Sequence, residues 1–318
     1  MAFHIVRFDH QDQPRWGLLE GSTIKPLDLP CTTTAALLEQ GHEAIRAAVG
    51  DGAELVLESA SLLSPITDDA KVLCQGANYR QHMIDSGMNP DDKSFNMFFT
   101  KSPASITAPG GEIIKPAHVQ LLDYEIELTL VLGKQTRGPV EVTAANLHEF
   151  VAGLCIGNDV SARDVQIPQM QFHKGKSYRT FCPLGPVLCL LEKSEMHYLD
   201  EMQLQLTVNG ETRQQDSTAN LVFKPAETLS EYSLIHDFAP GDVLMTGTPA
   251  GCALGLPSPA VTKVAALLPE SKKWQLFIKS QKRRQQYLQA GDVVESTITS
   301  RDQTLDLGKQ RHTIKDGV

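Results

Sequence analysis

The chain predicts an α+β fold: strand-rich, with a few separate helices and a small β-rich N-terminal domain ahead of a larger one. Three observations carry this. Residues 3–29 alternate and turn like short strands. The run Asp123-Tyr124-Glu125-Ile126-Glu127-Leu128-Thr129-Leu130-Val131-Leu132-Gly133 repeats apolar residues at every second position, the period of a strand. Residues 203–213 place Asn209-Gly210, the strongest short hairpin signal, between two strand-like arms.

The elements follow in order. Phe3 to Phe8 is a first strand, Asp9 to Pro14 a polar turn, and Arg15-Trp16-Gly17-Leu18-Leu19 a second strand. A helix is expected over about Thr34 to Val49, with Thr32 to Thr34 available as caps. The texture changes near Leu63 to Asp69, so the domains are set at 1–66 and 67–318. Lys71 to Cys74 reads as a strand, Thr143 to Val151 as a helix capped by Thr143, and Ala226 to Asp237 as another helix. The stretch 257–285 is polar and irregular and reads as an insertion before the last strand, Asp292 to Ile298.

The strand at 123–133 puts Tyr124, Ile126, Leu128 and Leu130 on one face and Glu125 with Glu127 on the other, about 6–7 Å apart. At an effective dielectric of about 20 such a pair repels by roughly 2–3 kcal/mol, and a cation between them turns that repulsion into a site. Oxygen-only ligands suit a hard ion such as Mg2+, Mn2+ or Ca2+. The same pair is also what the solvated side of an amphipathic strand looks like. A third carboxylate favours the site: Asp159 in Gly157-Asn158-Asp159-Val160-Ser161-Ala162-Arg163-Asp164-Val165-Gln166, just after the apolar run Val151 to Ile156. A helix starting here, with Asp159 or Ser161 as its cap, puts Asp159, Arg163 and Gln166 on one face. A carboxylate, a guanidinium and an amide facing one way suit an anionic substrate beside a metal.

Composition bounds the rest. The chain has 318 residues, 41% hydrophobic and 21% charged, with net charge −9, and its pI is near 5.6. The acidic balance argues against nucleic-acid or anionic-membrane partners. No apolar stretch approaches a membrane span, and no export signal opens the chain. Six cysteines form no CxxC pair and lie mostly in apolar surroundings, which reads as a cytoplasmic protein with reduced core thiols.

Six segments, in order, carry a resemblance: Asn78-Tyr79-Arg80-Gln81-His82; Asp123 to Glu127; Asn158 to Gln166; Gly175-Lys176-Ser177-Tyr178; Cys182-Pro183-Leu184-Gly185-Pro186; and Pro240-Gly241-Asp242-Val243 with Thr246-Gly247-Thr248-Pro249-Ala250-Gly251. Together they resemble the fumarylacetoacetate hydrolase family. The resemblance implies layered mixed β-sheet with a partly open barrel, commonly a homodimer, and Mg2+ or Mn2+ held by Glu125, Glu127 and Asp159. It further implies Arg163, Gln166 and Thr248 as substrate-binding residues, Lys176 beside the substrate's oxo group, and His82 as general base. Asp85 stands where several members carry a glutamate that pairs with this histidine, and the i,i+3 spacing on a helix brings the two together. Gln75 stands where the namesake enzyme has a further metal-binding aspartate, so three protein carboxylates are expected and a substrate smaller than fumarylacetoacetate.

The implied chemistry begins with a 2-oxo or 2,4-dioxo acid whose C3 electron pair flows into an enolate stabilised by the metal and Lys176. The first expectation is hydrolysis of the C3–C4 bond of an acylpyruvate-like acid, with His82 activating water. The second is isomerisation of a 2-hydroxyhepta-2,4-diene-1,7-dioate type substrate, or decarboxylation of a β-keto acid such as oxaloacetate; neither needs an attacking water. A non-catalytic binding protein is a third, weakened by the intact set Glu125, Glu127, Asp159, Lys176 and His82.

Overall fold

The computed structural model describes residues 2–50, 52–93, 95–255 and 266–317. Its main feature is an eleven-stranded mixed sheet. At the centre lies Ile126–Leu132, flanked by Val151–Asn158 on one side and Val243–Met245 on the other, both antiparallel to it. Val72–Gly76 extends the sheet parallel to Val243–Met245, and Met97–Lys101 closes that edge. On the far side Val187–Leu190 pairs with Val151–Asn158 and also with Phe3–His10. The N-terminal hairpin Phe3–His10 and Gln13–Glu20 is therefore continuous with the sheet that carries the carboxylates.

A second, five-stranded sheet packs beside it, ordered Glu211–Ser217, Met202–Val208, Val293–Ser300, Asp306–Asp316, Gly110–Lys115. Its first two strands are the expected hairpin, with Asn209 and Gly210 both at positive φ (53° and 80°), as the turn requires. Most buried apolar side chains form one cluster in which Leu128 and Leu130 of the central strand meet Leu204 and Leu206 of the second sheet. Burial of this kind is the main stabilising term of the fold.

Four expectations need correction. The helix over 34–49 is two short ones, Thr34–Glu39 capped by Thr33 and Gly41–Ala47, because Gly41 takes φ +76° between them. The helix over 143–151 is only Leu147–Phe150; Val151 already begins the next strand. Of 257–285, residues 256–265 lie outside the described residues, and the rest contains a regular helix, Glu270–Gln281, where an irregular segment was expected. Nor is Asp292 to Ile298 the last strand, since Asp306–Asp316 follows and pairs with it.

Candidate active site

The central strand is buried along its whole length, on both faces. That removes the solvated-face reading of the glutamates: Glu127 is 1% exposed and Glu125 6%. The strand also starts later than expected. Leu122–Asp123 belongs to a separate two-stranded ladder with Ser161–Ala162, and Tyr124-Glu125 bridges the two pieces. In the bridge the Glu125 amide donates to the Asn158 side chain (3.0 Å), and the Glu125 carbonyl accepts from the Asp159 amide (2.8 Å). These bonds lock the first and third carboxylates to one another through backbone.

Asp159 caps no helix. Extended backbone carries the chain from it through Ser161–Ala162, and the helix begins only at Arg163, running to Gln169. The side chains nevertheless converge. Oxygens of Glu125, Glu127 and Asp159 lie within 4.8 Å of one another. Lys176 Nζ donates to Glu125 Oε2 (2.6 Å), to Ser161 Oγ (2.9 Å) and to Asp159 Oδ2. Arg163 is spent on three neighbours: Nε on Asp123 Oδ2 (2.8 Å), Nη1 on Gln166 Oε1 (2.7 Å), and Nη2 on Glu125 Oε1.

Two charged residues of this cluster escape sequence reasoning as site members. Lys101, 2% exposed at the sheet edge, places Nζ 2.5 Å from Asp159 Oδ1 and 2.8 Å from the Phe181 carbonyl. Nothing in Phe98-Phe99-Thr100-Lys101 distinguishes it from a strand-end lysine on the surface. Asp123 opens the strand-like run 123–133, and its carboxylate acts as a hub, accepting from Arg163 and from the amides of Ala253 (2.7 Å) and Leu254 (3.0 Å).

Four buried carboxylates thus face three buried cations. Glu127 is the one without an ionic partner among the described residues; it accepts only the Gly247 amide, at 2.8 Å. That amide reaches it because Gly247 adopts φ +92°, and a Cβ there would come within 2.9 Å of Asn78 Cβ. Burial, then Asp159, then Glu125 push the Glu127 carboxyl well above the usual range. Burial opposes ionisation of Glu125 too, but Arg163 and Lys176 outweigh it and hold that group low. A buried, oxygen-only trio with one uncompensated carboxylate fits a hard divalent cation. Gln75 stays outside the trio, its amide donating to Asn96 Oδ1 (2.7 Å) and Thr228 Oγ1 (3.1 Å).

The remaining expected residues divide. Thr248 is buried, donates to the Ile126 carbonyl (2.9 Å) and accepts from Gln214 Nε2 (2.8 Å), so its hydroxyl braces the strand. His82 lies on the short helix Arg80–Asp85 with a ring nitrogen within 4.8 Å of a Glu125 oxygen and of Cys252 Sγ. Burial lowers its proton affinity, an effect Glu125 partly offsets. Asp85 does not meet it. The aspartate is exposed and accepts from Gln81 Nε2 (2.8 Å), one helical turn back.

The chain is similar to known proteins along most of its length. Residues 71–315 match the fumarylacetoacetate (FAA) hydrolase C-terminal family, and residues 4–65 match the Rv2993c-like, N-terminal family. Oxaloacetate tautomerase YisK of Bacillus subtilis (strain 168) is 37% identical over 64% of this chain and 66% of its own. The mitochondrial oxaloacetate tautomerase Fahd2a of Rattus norvegicus is 32% identical over 81% of this chain and 85% of its own. Among solved structures, a fumarylacetoacetate hydrolase from Exiguobacterium antarcticum superposes with TM-score 0.76 at 28% identity, covering 99% of this chain and all of the other. A probable 2-hydroxyhepta-2,4-diene-1,7-dioate isomerase from Mycobacterium abscessus gives 0.74 at 28% identity, covering both chains completely. No helix among the described residues is long and apolar enough to cross a membrane. With a family match over most of its length, the chain belongs to the fumarylacetoacetate hydrolase family.

Proposed function

We propose that this chain interconverts the keto and enol forms of a small 2-oxo diacid of the oxaloacetate kind. The sequence puts C–C hydrolysis first, with isomerisation or oxaloacetate decarboxylation second. The relatives favour the second group, since their names join oxaloacetate to tautomerisation and the diene-dioates to isomerisation. The observation that carries the reading is the position of Asp85. A histidine that activates water profits from a carboxylate that orients it, and here that carboxylate is exposed and bonded to Gln81. A proton shuttle to and from carbon has less need of one.

Glu125, Glu127 and Asp159 would hold Mg2+ or Mn2+, which supplies Lewis-acid stabilisation of charge on the substrate's oxo group. His82, neutral at rest, takes a proton from C3, and the electron pair forms the C2=C3 bond. Negative charge gathers on O2, and the Lys176 ammonium, held by Glu125, Asp159 and Ser161, is the cation that would stabilise it. Delivery of the proton to O2 gives the enol; the reverse order gives the keto form. With its oxygen held by Arg163, Gln166 presents its amide NH2 to a substrate carboxylate.

The reading keeps the division at 1–66 and 67–318, a homodimer, and the cytoplasm, where six free buried cysteines remain reduced. The test follows the enol absorbance of oxaloacetate with metal-stripped protein, before and after Mg2+ or Mn2+. Acceleration restored by metal, cut at least about a hundredfold in Glu127→Gln, and leaving the acid intact supports the reading. Cleavage of acetylpyruvate to pyruvate and acetate, with no effect on the enol, returns hydrolysis to first place.

A further inference from the structure

A second group of potential ligands lies against the carboxylate trio and shares one member with it. A ring nitrogen of His82, Sγ of Cys252 and an oxygen of Glu125 all fall within 4.8 Å of one another. The thiol points at the carboxylate, Sγ to Glu125 Oε1 being 3.7 Å. In a tetrahedral zinc site, metal–sulfur and metal–oxygen bonds of roughly 2.3 and 2.0 Å set the two ligand atoms about 3.5 Å apart. That sulfur–oxygen pair therefore asks for almost no movement, and the His82 ring closes the remaining distance. Among the described residues no protein group hydrogen-bonds the His82 ring, so its nitrogen is available. The helix carrying it is six residues long with only Met83 fully buried, which leaves room for the ring to settle onto an ion.

The chemistry differs from that of the trio. Three carboxylates select hard ions; an imidazole, a thiolate and one carboxylate select borderline-soft ions that prefer four ligands. We propose that His82, Cys252 and Glu125 form a second cation site that takes a thiophilic d10 ion, Zn2+ or Cd2+, with a fourth position open to solvent. On binding, the Cys252 thiol gives its proton to solvent and sulfur joins the metal as thiolate. Arg163 and Lys176, both bonded to Glu125, oppose a further cation there. The added thiolate offsets them and makes sulfur the decisive ligand. Occupancy also takes the His82 nitrogen out of proton transfer, so the same ions would inhibit; this consequence alone rests on the function proposed above.

The test is a Cd2+ titration of the Mg2+-loaded protein, followed by the ultraviolet cadmium–thiolate charge-transfer band, a readout that needs no turnover. One Cd2+ per chain with the band present, the band abolished in Cys252→Ser, and apparent affinity lowered at least about tenfold in His82→Gln is the expected result. Zn2+ should displace the band with the same stoichiometry. No band, or a band that survives in Cys252→Ser, overturns the proposal, since the five other thiols are also buried. If Cys252→Ser fails to fold, the His82→Gln titration decides: unchanged Cd2+ affinity there sinks the site. Inhibition without the band would count against the site while leaving the proposed activity untouched, and the band without inhibition would count against the role of His82.

Discussion

The buried charge cluster and the short helix that carries His82 lie in contact, yet they are built in opposite ways. In the cluster every charged side chain except Glu127 has at least one ionic partner, and Lys176 and Arg163 each have three hydrogen bonds. On the helix Arg80–Asp85 only Met83 is fully buried, beside a cavity of about 120 Å3 lined in part by Met88, Phe95 and Met97. The residue that would move a proton sits on the lightly held part, and the groups that would hold charge sit on the rigid part. Preorganised dipoles and charges stabilise developing charge because they need no reorganisation at the moment of reaction. A base that must reach and leave carbon gains from a segment with few contacts to break.

Substitutions can separate the two. The largest expected effect is on rate: His82→Gln should lower kcat for enol–keto exchange by about 10²–10⁴, while stability in urea stays within about 0.5 kcal/mol of the parent. A large stability loss would show that His82 is structural and blur the contrast. Next comes Lys101→Met. It strips a buried ammonium from Asp159 Oδ1 and from two carbonyls, those of Val160 and Phe181. Breaking such a pair costs about 3–5 kcal/mol, because the remaining charge stays buried. Denaturant unfolding would register this directly, and a loss under about 1 kcal/mol would mean that Lys176 alone suffices to hold Asp159.

The same contrast explains what was legible in the chain. Glu125, Glu127, Asp159, Arg163 and Lys176 lie in motif-bearing segments, and all five meet in the cluster. The geometry that joins them was not legible. A helix capped by Asp159 was a sound inference from Asn-Asp-x-Ser, but the Leu122–Asp123 pairing with Ser161–Ala162 holds that backbone extended, a long-range bond that local propensity does not encode. Lys101 was missed because an isolated lysine at a strand end is usually solvated; only its neighbours across the sheet make it a buried counter-ion. Asp85 was misplaced for the converse reason: i,i+3 spacing permits contact with His82, yet the i−4 partner Gln81 takes the carboxylate.

A third location calibrates acid sensitivity. His312, 1% exposed in the second sheet, has no partner for either ring nitrogen among the described residues, and burial lowers its pKa to about 4. Between that value and the ordinary 6.5 the unfolded chain binds the proton and the folded chain does not, so stability falls as pH drops through this window. The full contribution is up to about 3 kcal/mol, and little of it changes above about pH 7. Urea midpoints from pH 7 to 4.5 should show the slope, and His312→Met should flatten it. If the slope persists in that variant, it arises instead from His4 and His82, whose proton affinities burial also lowers.

The smallest expected effect is the one that discriminates most between the two reactions. Asp85 is exposed and shares one hydrogen bond with an exposed glutamine. Asp85→Ala should therefore change stability by no more than about 0.5 kcal/mol and enol–keto exchange by less than about twofold. A carboxylate that orients a water-activating histidine behaves differently: its loss removes a share of the 10²–10⁴ that general-base catalysis supplies. A tenfold or greater fall in kcat with unchanged KM would mean that Asp85 swings onto His82 when substrate binds. The short helix would then be a device that assembles a dyad on demand, and C–C hydrolysis would regain the support that the exposed carboxylate now denies it.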